Sequence, residues 1–264
     1  MISNTRSLLY SLVQRNISAR YRGSAFGMLW PLLTPLFMLA VYTFVFGTIF
    51  KARWAIPGRE GGDHSTGEFA VILFAGLIVF QILSETLLKA PSAILYNSSY
   101  VKKVVFPIEI LPLVPIGAAL FHALVSFVVL LGFQIFVFGN VPLTALLLPF
   151  VLLPFLVMMG GFAWFFAAIG VYVRDIPEIL GPGVTALMFL SPIFFPKTSM
   201  PDWLQVYHYL NPVAFPVEMT REVLIFGVVP NIDGYSVYLV ASLLVGGLGF
   251  KFFQMVQKGF ADVL

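Results

Sequence analysis

From Ile110 to Val173 the chain runs 64 residues without one Asp, Glu, Lys or Arg. As a single helix that stretch would measure about 96 Å at 1.5 Å per residue, roughly three times the hydrocarbon core of a bilayer. It must therefore turn back, and Gly139-Asn140-Val141-Pro142 supplies the turn signal that divides it in two. A second charge-free run of 28 residues, Gly23–Phe50, follows directly on Arg15, Arg20 and Arg22. Only 10% of the chain is charged, against about 25% for an ordinary soluble domain, while 59% is hydrophobic. A water-facing surface of normal polarity cannot be made from this material. The chain reads as an all-α, polytopic membrane protein whose work is transport rather than solution chemistry.

Charges and turn residues divide the chain into six spans, placed at about 29–50, 69–90, 110–138, 143–173, 179–196 and 234–254. Six spans put both termini on one side. That side collects ten basic residues: Arg6, Arg15, Arg20, Arg22, Lys89, Lys102, Lys103, Arg174, Lys251 and Lys258. The other side holds five: Lys51, Arg53, Arg59, Lys197 and Arg221. The excess of Lys and Arg near the span ends predicts cytoplasmic termini.

Two segments fit neither spans nor plain loops. Over 5–22, Leu8, Leu9, Leu12, Val13 and Ile17 share one half of a helical wheel, and Ser7, Ser11, Gln14 and Ser18 the other. This predicts an interfacial amphipathic helix. The segment 197–233 is broken by Pro201, Pro212 and Pro216 into short apolar pieces carrying Trp203, Tyr207, Tyr209 and Phe215. Irregular backbone at membrane depth needs burial in protein or a cavity to line, so external re-entrant helices between the fifth and sixth spans are expected. A loop lying on the bilayer is the competing reading.

Several chemistries are excluded. With no cysteine, disulfides and thiolate catalysis are ruled out. No Gly-Lys dipeptide occurs, so there is no P-loop for ATP. His64, among Glu60, Asp63 and Glu68, reads as part of a solvated loop rather than a metal site, and His208 as an interfacial side chain. His122 falls mid-span, where an ionisable group is a functional suspect; an imidazole hydrogen-bonded between helices is the favoured reading. Glu85 and Lys89, spaced i, i+4 near a span end, can offset each other. No acid occupies the centre of a span, which disfavours an ion-driven transporter. The residues alone leave a channel or passive scaffold open, and any energy source must lie elsewhere.

Specific strings narrow this further. The stretch from Arg15 through Arg20-Tyr21-Arg22-Gly23-Ser24 to Trp30-Pro31 and Pro35 resembles the start of the membrane subunits of type 2 ABC exporters. The closest resemblance is to the branch that exports O-antigen, capsule and teichoic-acid polysaccharides. Val101-Lys102-Lys103-Val104-Val105-Phe106-Pro107, Arg174-Asp175-Ile176, Ser191-Pro192-Ile193-Phe194-Phe195, Asn211-Pro212 and the tail Phe260–Leu264 match in order. Asn16 and Ser18 depart from it, standing where the family often has an acid and a base.

The resemblance implies a homodimer above two copies of a separate cytoplasmic ATPase that binds the ATP and Mg. It also implies a bacterial inner-membrane location, and no catalytic residue, metal or nucleic-acid partner in this chain. A docking loop for the ATPase falls at 96–107, with Tyr96, Asn97, Ser98, Tyr100, Lys102 and Lys103, and a second contact at Arg174 and Asp175. Arg15, Arg20, Tyr21 and Arg22 stand at the cytoplasmic entrance, and 197–233 forms the outer gate. A lipid-linked polysaccharide is the expected substrate, with a small-molecule exporter of the same family as the alternative. Phe, Trp and Tyr make up 16% of the chain, and aromatic planes let sugar rings slide without a fixed set of hydrogen bonds. Candidate channel residues are Trp30, Tyr42, Phe46, Phe189, Phe194 and Phe195. For any one of them, lipid contact or helix packing competes with channel lining.

Overall fold

The computed structural model describes residues 2–50, 54, 66–101, 106–196, 207 and 210–264. Lys102, Lys103, His64, His208, Trp203 and Tyr209 lie outside the described residues, as does most of 197–209.

Among the described residues the secondary structure is entirely helical. In chain order it comprises α1 (Ile2–Tyr21), α2 (Trp30–Tyr42), α3 (Thr66–Lys89), α4 (Ser98–Val101), α5 (Leu113–Phe138), α6 (Leu148–Tyr172), α7 (Ile176–Leu190), α8 (Ala214–Arg221), α9 (Ile232–Val256) and α10 (Phe260–Val263). Five stretches of the described residues are long and apolar enough to cross a bilayer: Gly27–Ile49, Gly67–Ser92, Ile108–Phe138, Leu143–Tyr172 and Ile232–Gly259. α7 is shorter. Its 15 residues reach only about 22 Å, short of the ~30 Å core. It stops at Leu190, six residues before the expected end of that span, because Ser191 precedes Pro192 and is extended at ψ 153°.

α3 is the central post. Ile72, Leu73, Ile78, Ile82 and Leu83 are wholly buried on it, and a helix apolar all round belongs inside a bundle. α2 is the opposite case: only 17% of its span is buried, against 78% for α3. Leu29, Leu36, Phe37 and Phe44 of that span face outward. α6 and α9 pack along most of their length, at a crossing made by Gly161 and Gly249. A Cβ on Gly249 would lie 2.1 Å from the Gly161 carbonyl oxygen, so only glycine permits the approach. α5 ends at Gly139, left-handed at φ 76°, whose N–H closes on the Ile135 carbonyl.

α1 packs against α5. Leu12 and Ile17 are buried, while Ser7, Ser11, Gln14 and Ser18 are exposed. Val13 seats where a Cβ on Gly117 would come within 2.5 Å of it. Leu12 shares a core with Val114, Val171, Phe253 and Phe260, and Leu264 packs on that core, so both chain ends lie at one end of the bundle.

α8 and the wide π-type turn after it, Glu222–Phe226, fold back into the bundle against α3 and α6. Backbone carbonyls placed there need partners. Gln134 donates to the Leu224 carbonyl and Thr144 to the Val223 carbonyl, each at 2.6 Å.

Candidate translocation path

At the terminal end of the bundle a polar cluster joins three helices. Glu85 of α3, with a side chain 7% exposed, accepts Arg20 Nη1 of α1 at 2.9 Å, His122 Nδ1 of α5 at 2.9 Å, and Lys89 Nζ one turn along its own helix. The Tyr21 hydroxyl lies 3.0 Å from His122 Nε2. Burial raises the Tyr21 phenol above its ordinary pKa, opposed by neighbouring Arg20, so the hydroxyl keeps its proton and can donate to Nε2. His122 thus bridges α3 and α1 rather than standing alone in the membrane. Glu85 is the residue the sequence undervalued. Its pairing with Lys89 was legible, but the reach of Arg20 from 65 positions away was not.

A cavity of about 300 Å³ opens beside this cluster, between α1, α2, α3 and α5. Arg20, Tyr21 and His122 line it, then Thr34, Gln81 and Ser84, and at its far wall Tyr42 and Phe74. From Tyr42 the aromatic series continues. Tyr42 and Phe46 lie one turn apart with ring centroids 6.5 Å from each other, and Phe46 meets Phe69 at 5.7 Å and Phe194 at 5.9 Å. Phe194 stacks on Phe189 at 5.6 Å. Candidates from the first and fifth spans, 148 positions apart, therefore form one cluster. Phe195 is half-buried beside it. Trp30 is not part of it: it is partly exposed and packs edge-on against Phe26 at 5.7 Å.

The entrance and docking candidates also meet. Arg15 donates to the Tyr100 hydroxyl at 2.8 Å and to Asn97 Oδ1 at 3.2 Å, with its guanidinium carbon 5.6 Å from the Tyr100 ring centre. Asn97 is itself held by the Ala93 carbonyl, and Tyr100 stacks on Phe106. A cleft of about 760 Å³ runs between α1 and this loop, edged by Arg15, Arg22 and Tyr96; Tyr96 is 87% exposed. Ser98 opens α4. Arg174 and Asp175 stand exposed in the turn joining α6 to α7. The one-turn helix Ala90–Ser92, just before this loop of Asn97 and Tyr100, packs on both α6 and α7.

The profile of the ABC-2 type transporter family matches residues 7–225. The chain belongs to that family. Among curated ABC-2 relatives, an O-antigen export system permease protein, RfbA of Klebsiella pneumoniae, is 24% identical over 97% of this chain and 95% of its own length. RfbA of Myxococcus xanthus is 30% identical over 75% of this chain and 71% of its own. The polysialic acid transport protein KpsM of Escherichia coli is 26% identical over 89% of each. The chain is thus a multi-pass ABC-2 membrane protein, similar nearly end to end to polysaccharide-export permeases.

Arg221 is the buried charge that the sequence did not single out. It is 3% exposed, and its guanidinium is bonded to three backbone carbonyls. Pro212 and Pro216 break the segment into short pieces, but no local signal marks where a long side chain will point.

Proposed function

We propose that this chain is the membrane-embedded subunit of a homodimeric ABC exporter that moves lipid-linked polysaccharide, O-antigen or capsule, out of the cytoplasm across the bacterial inner membrane. The observation that carries the reading is the likeness, over 97% of the chain, to a permease named for O-antigen export. The aromatic series from Tyr42 to Phe194 supports it, since ring faces suit a polymer that must slide.

In this reading the chain spans the membrane six times with both termini cytoplasmic, α7 completing its crossing through the turn at Ser191–Phe195. Two copies pair through outward apolar faces such as those of α2 and α7, where Phe37 and Phe189 are exposed. Two copies of a separate ATPase bind ATP and Mg and dock on Tyr96, Asn97, Ser98, Tyr100, Lys102 and Lys103, with Arg174 and Asp175 as a second contact. Closure of the paired ATPases presses the docking loop. Arg15 passes the movement to α1 through Tyr100 and Asn97, and α1 passes it to α3 and α5 through Arg20, Glu85 and His122. The lipid-linked chain enters beside Arg15, Arg20, Tyr21 and Arg22, and advances along Tyr42, Phe46, Phe189, Phe194 and Phe195. No bond is made or broken by this subunit.

Charge reversal at Lys102 and Lys103 to Glu tests the docking assignment. ATP hydrolysis by the assembled complex should cease to respond to the membrane subunit while the fold persists; unchanged coupling in the double variant would remove the assigned site.

A further inference from the structure

The outer segment of this chain contains a buried cation whose bonds, among the described residues, all end on backbone oxygen. Arg221, the last residue of α8, donates from Nε to the Ile72 carbonyl at 3.0 Å, from Nη1 to Pro192 at 2.6 Å and from Nη2 to Ile193 at 2.8 Å. Its guanidinium carbon lies 4.7 Å from the centre of the Trp54 ring. A charge taken out of water is retained only where its donors are met, and a planar fork is the side chain that can meet three carbonyls at once. One of those carbonyls belongs to the central helix α3. The other two belong to the turn at which α7 stops.

Two further features suit the same contact. Gly76 of α3 faces Arg221, and a Cβ there would lie 2.6 Å from Nη2; glycine leaves the pocket the guanidinium fills. Asn211, just before α8, ties the turn from its other side, with Nδ2 donating to Ser191 Oγ at 2.8 Å and Oδ1 accepting the Val213 N–H. Ser191, Pro192 and Ile193 are thus gripped at both ends by the re-entrant segment. The next residue in the chain is Phe194, whose ring packs on Phe46 at 5.9 Å.

We propose that Arg221 is a positioning residue of the translocation path, a latch that seats the Ser191–Phe194 turn, and with it the Phe194 ring, against Phe46 and α3. Release of the latch frees the turn without touching the polar cluster at the other end of the bundle. The inference rests on the export reading only in taking the aromatic series as the path; the latch itself is a property of the fold. Lysine cannot replace it, because an ammonium is a point charge that does not span three carbonyls fixed in a plane.

The test uses the absence of cysteine in this chain. A single reporter, Pro196→Cys, is placed just after the turn at a half-buried position outside the aromatic series, and its reaction with a water-soluble maleimide is timed in the complete complex. Arg221→Lys should raise the labelling rate about tenfold, the shift expected when a charge-assisted hydrogen bond is lost. Gly76→Ala, which keeps the arginine and displaces it, should act in the same direction. In both variants ATP hydrolysis per complex should persist while export falls, whereas a merely misfolded complex loses both together. Unchanged labelling in folded Arg221→Lys and Gly76→Ala would overturn the latch. Lysine restoring export in full would overturn it equally. If the wild-type complex moves no polysaccharide but labelling still responds to both variants, the export reading fails and the latch stands.

Discussion

Replacing Glu85 by Gln removes the charge on which three donors converge while keeping the shape of the side chain. The partners differ in exposure: the Arg20 and Lys89 side chains are 50% and 38% exposed, and that of His122 only 6%. Exposed pairs are screened by water, so each should contribute about 0.2–1 kcal/mol. The buried bond to His122 sits between membrane helices, where measured interhelical couplings average about 0.6 and reach about 1.7 kcal/mol, because the unfolded chain in lipid also finds partners. Glu85→Gln should therefore cost about 1–4 kcal/mol in all. Glu85→Ala should cost about 1–3 kcal/mol more, since it strands the buried His122 donor. Reversible unfolding in mixed micelles, read by tryptophan fluorescence, gives both values. A double-mutant cycle then separates the pairs. Coupling between positions 85 and 122 should exceed that between 85 and 20 by about twofold or more. Equal couplings, or none between 85 and 122, would refute the claim that buried His122 rather than the arginine anchors the carboxylate.

Three other outcomes follow from the geometry. Gly249→Ala places a methyl against the Gly161 backbone, so α6 and α9 must separate; the variant should lose at least about 1–3 kcal/mol and run as a broadened peak on size exclusion. Gln134→Leu leaves the Leu224 carbonyl without its donor, which should destabilise the turn after α8 by about 1–2 kcal/mol and speed amide exchange over Glu222–Phe226 first. Phe46→Ala removes the ring shared by Tyr42, Phe69 and Phe194 and should lower export severalfold. Phe46→Tyr, which keeps the ring, should retain most of it, and equal activity of the two variants would argue against stacking.

The sequence disclosed what depends on local pattern. Charge-free runs and Gly139 announced the long apolar helices, because nothing else can be made from 64 residues without a charge. The split of Leu12 and Ile17 from Ser7, Ser11, Gln14 and Ser18 announced the two faces of α1, since helical periodicity is a property of neighbours. Helix α7 ends before its apolar run does, because hydrophobicity continues through Ile193-Phe194-Phe195 while the backbone obeys the proline at 192. What remained hidden is long-range. Glu85, His122 and Arg20 come from three helices, Phe46 and Phe194 from two distant spans, and Arg221 finds carbonyls at Ile72 and Pro192. In each case the partner is set by how helices cross, which no window of sequence contains.

The central claim is that this chain conducts lipid-linked polysaccharide only when driven by a separate ATPase. The most direct measurement places the purified chain in proteoliposomes, with and without the partner ATPase, and follows ATP-dependent passage of lipid-linked polysaccharide to the opposite face. Passage should require both subunits and ATP, with no hydrolysis by the chain alone. Polysaccharide that crossed without the ATPase, or a complete complex that hydrolysed ATP yet moved none, would contradict the account.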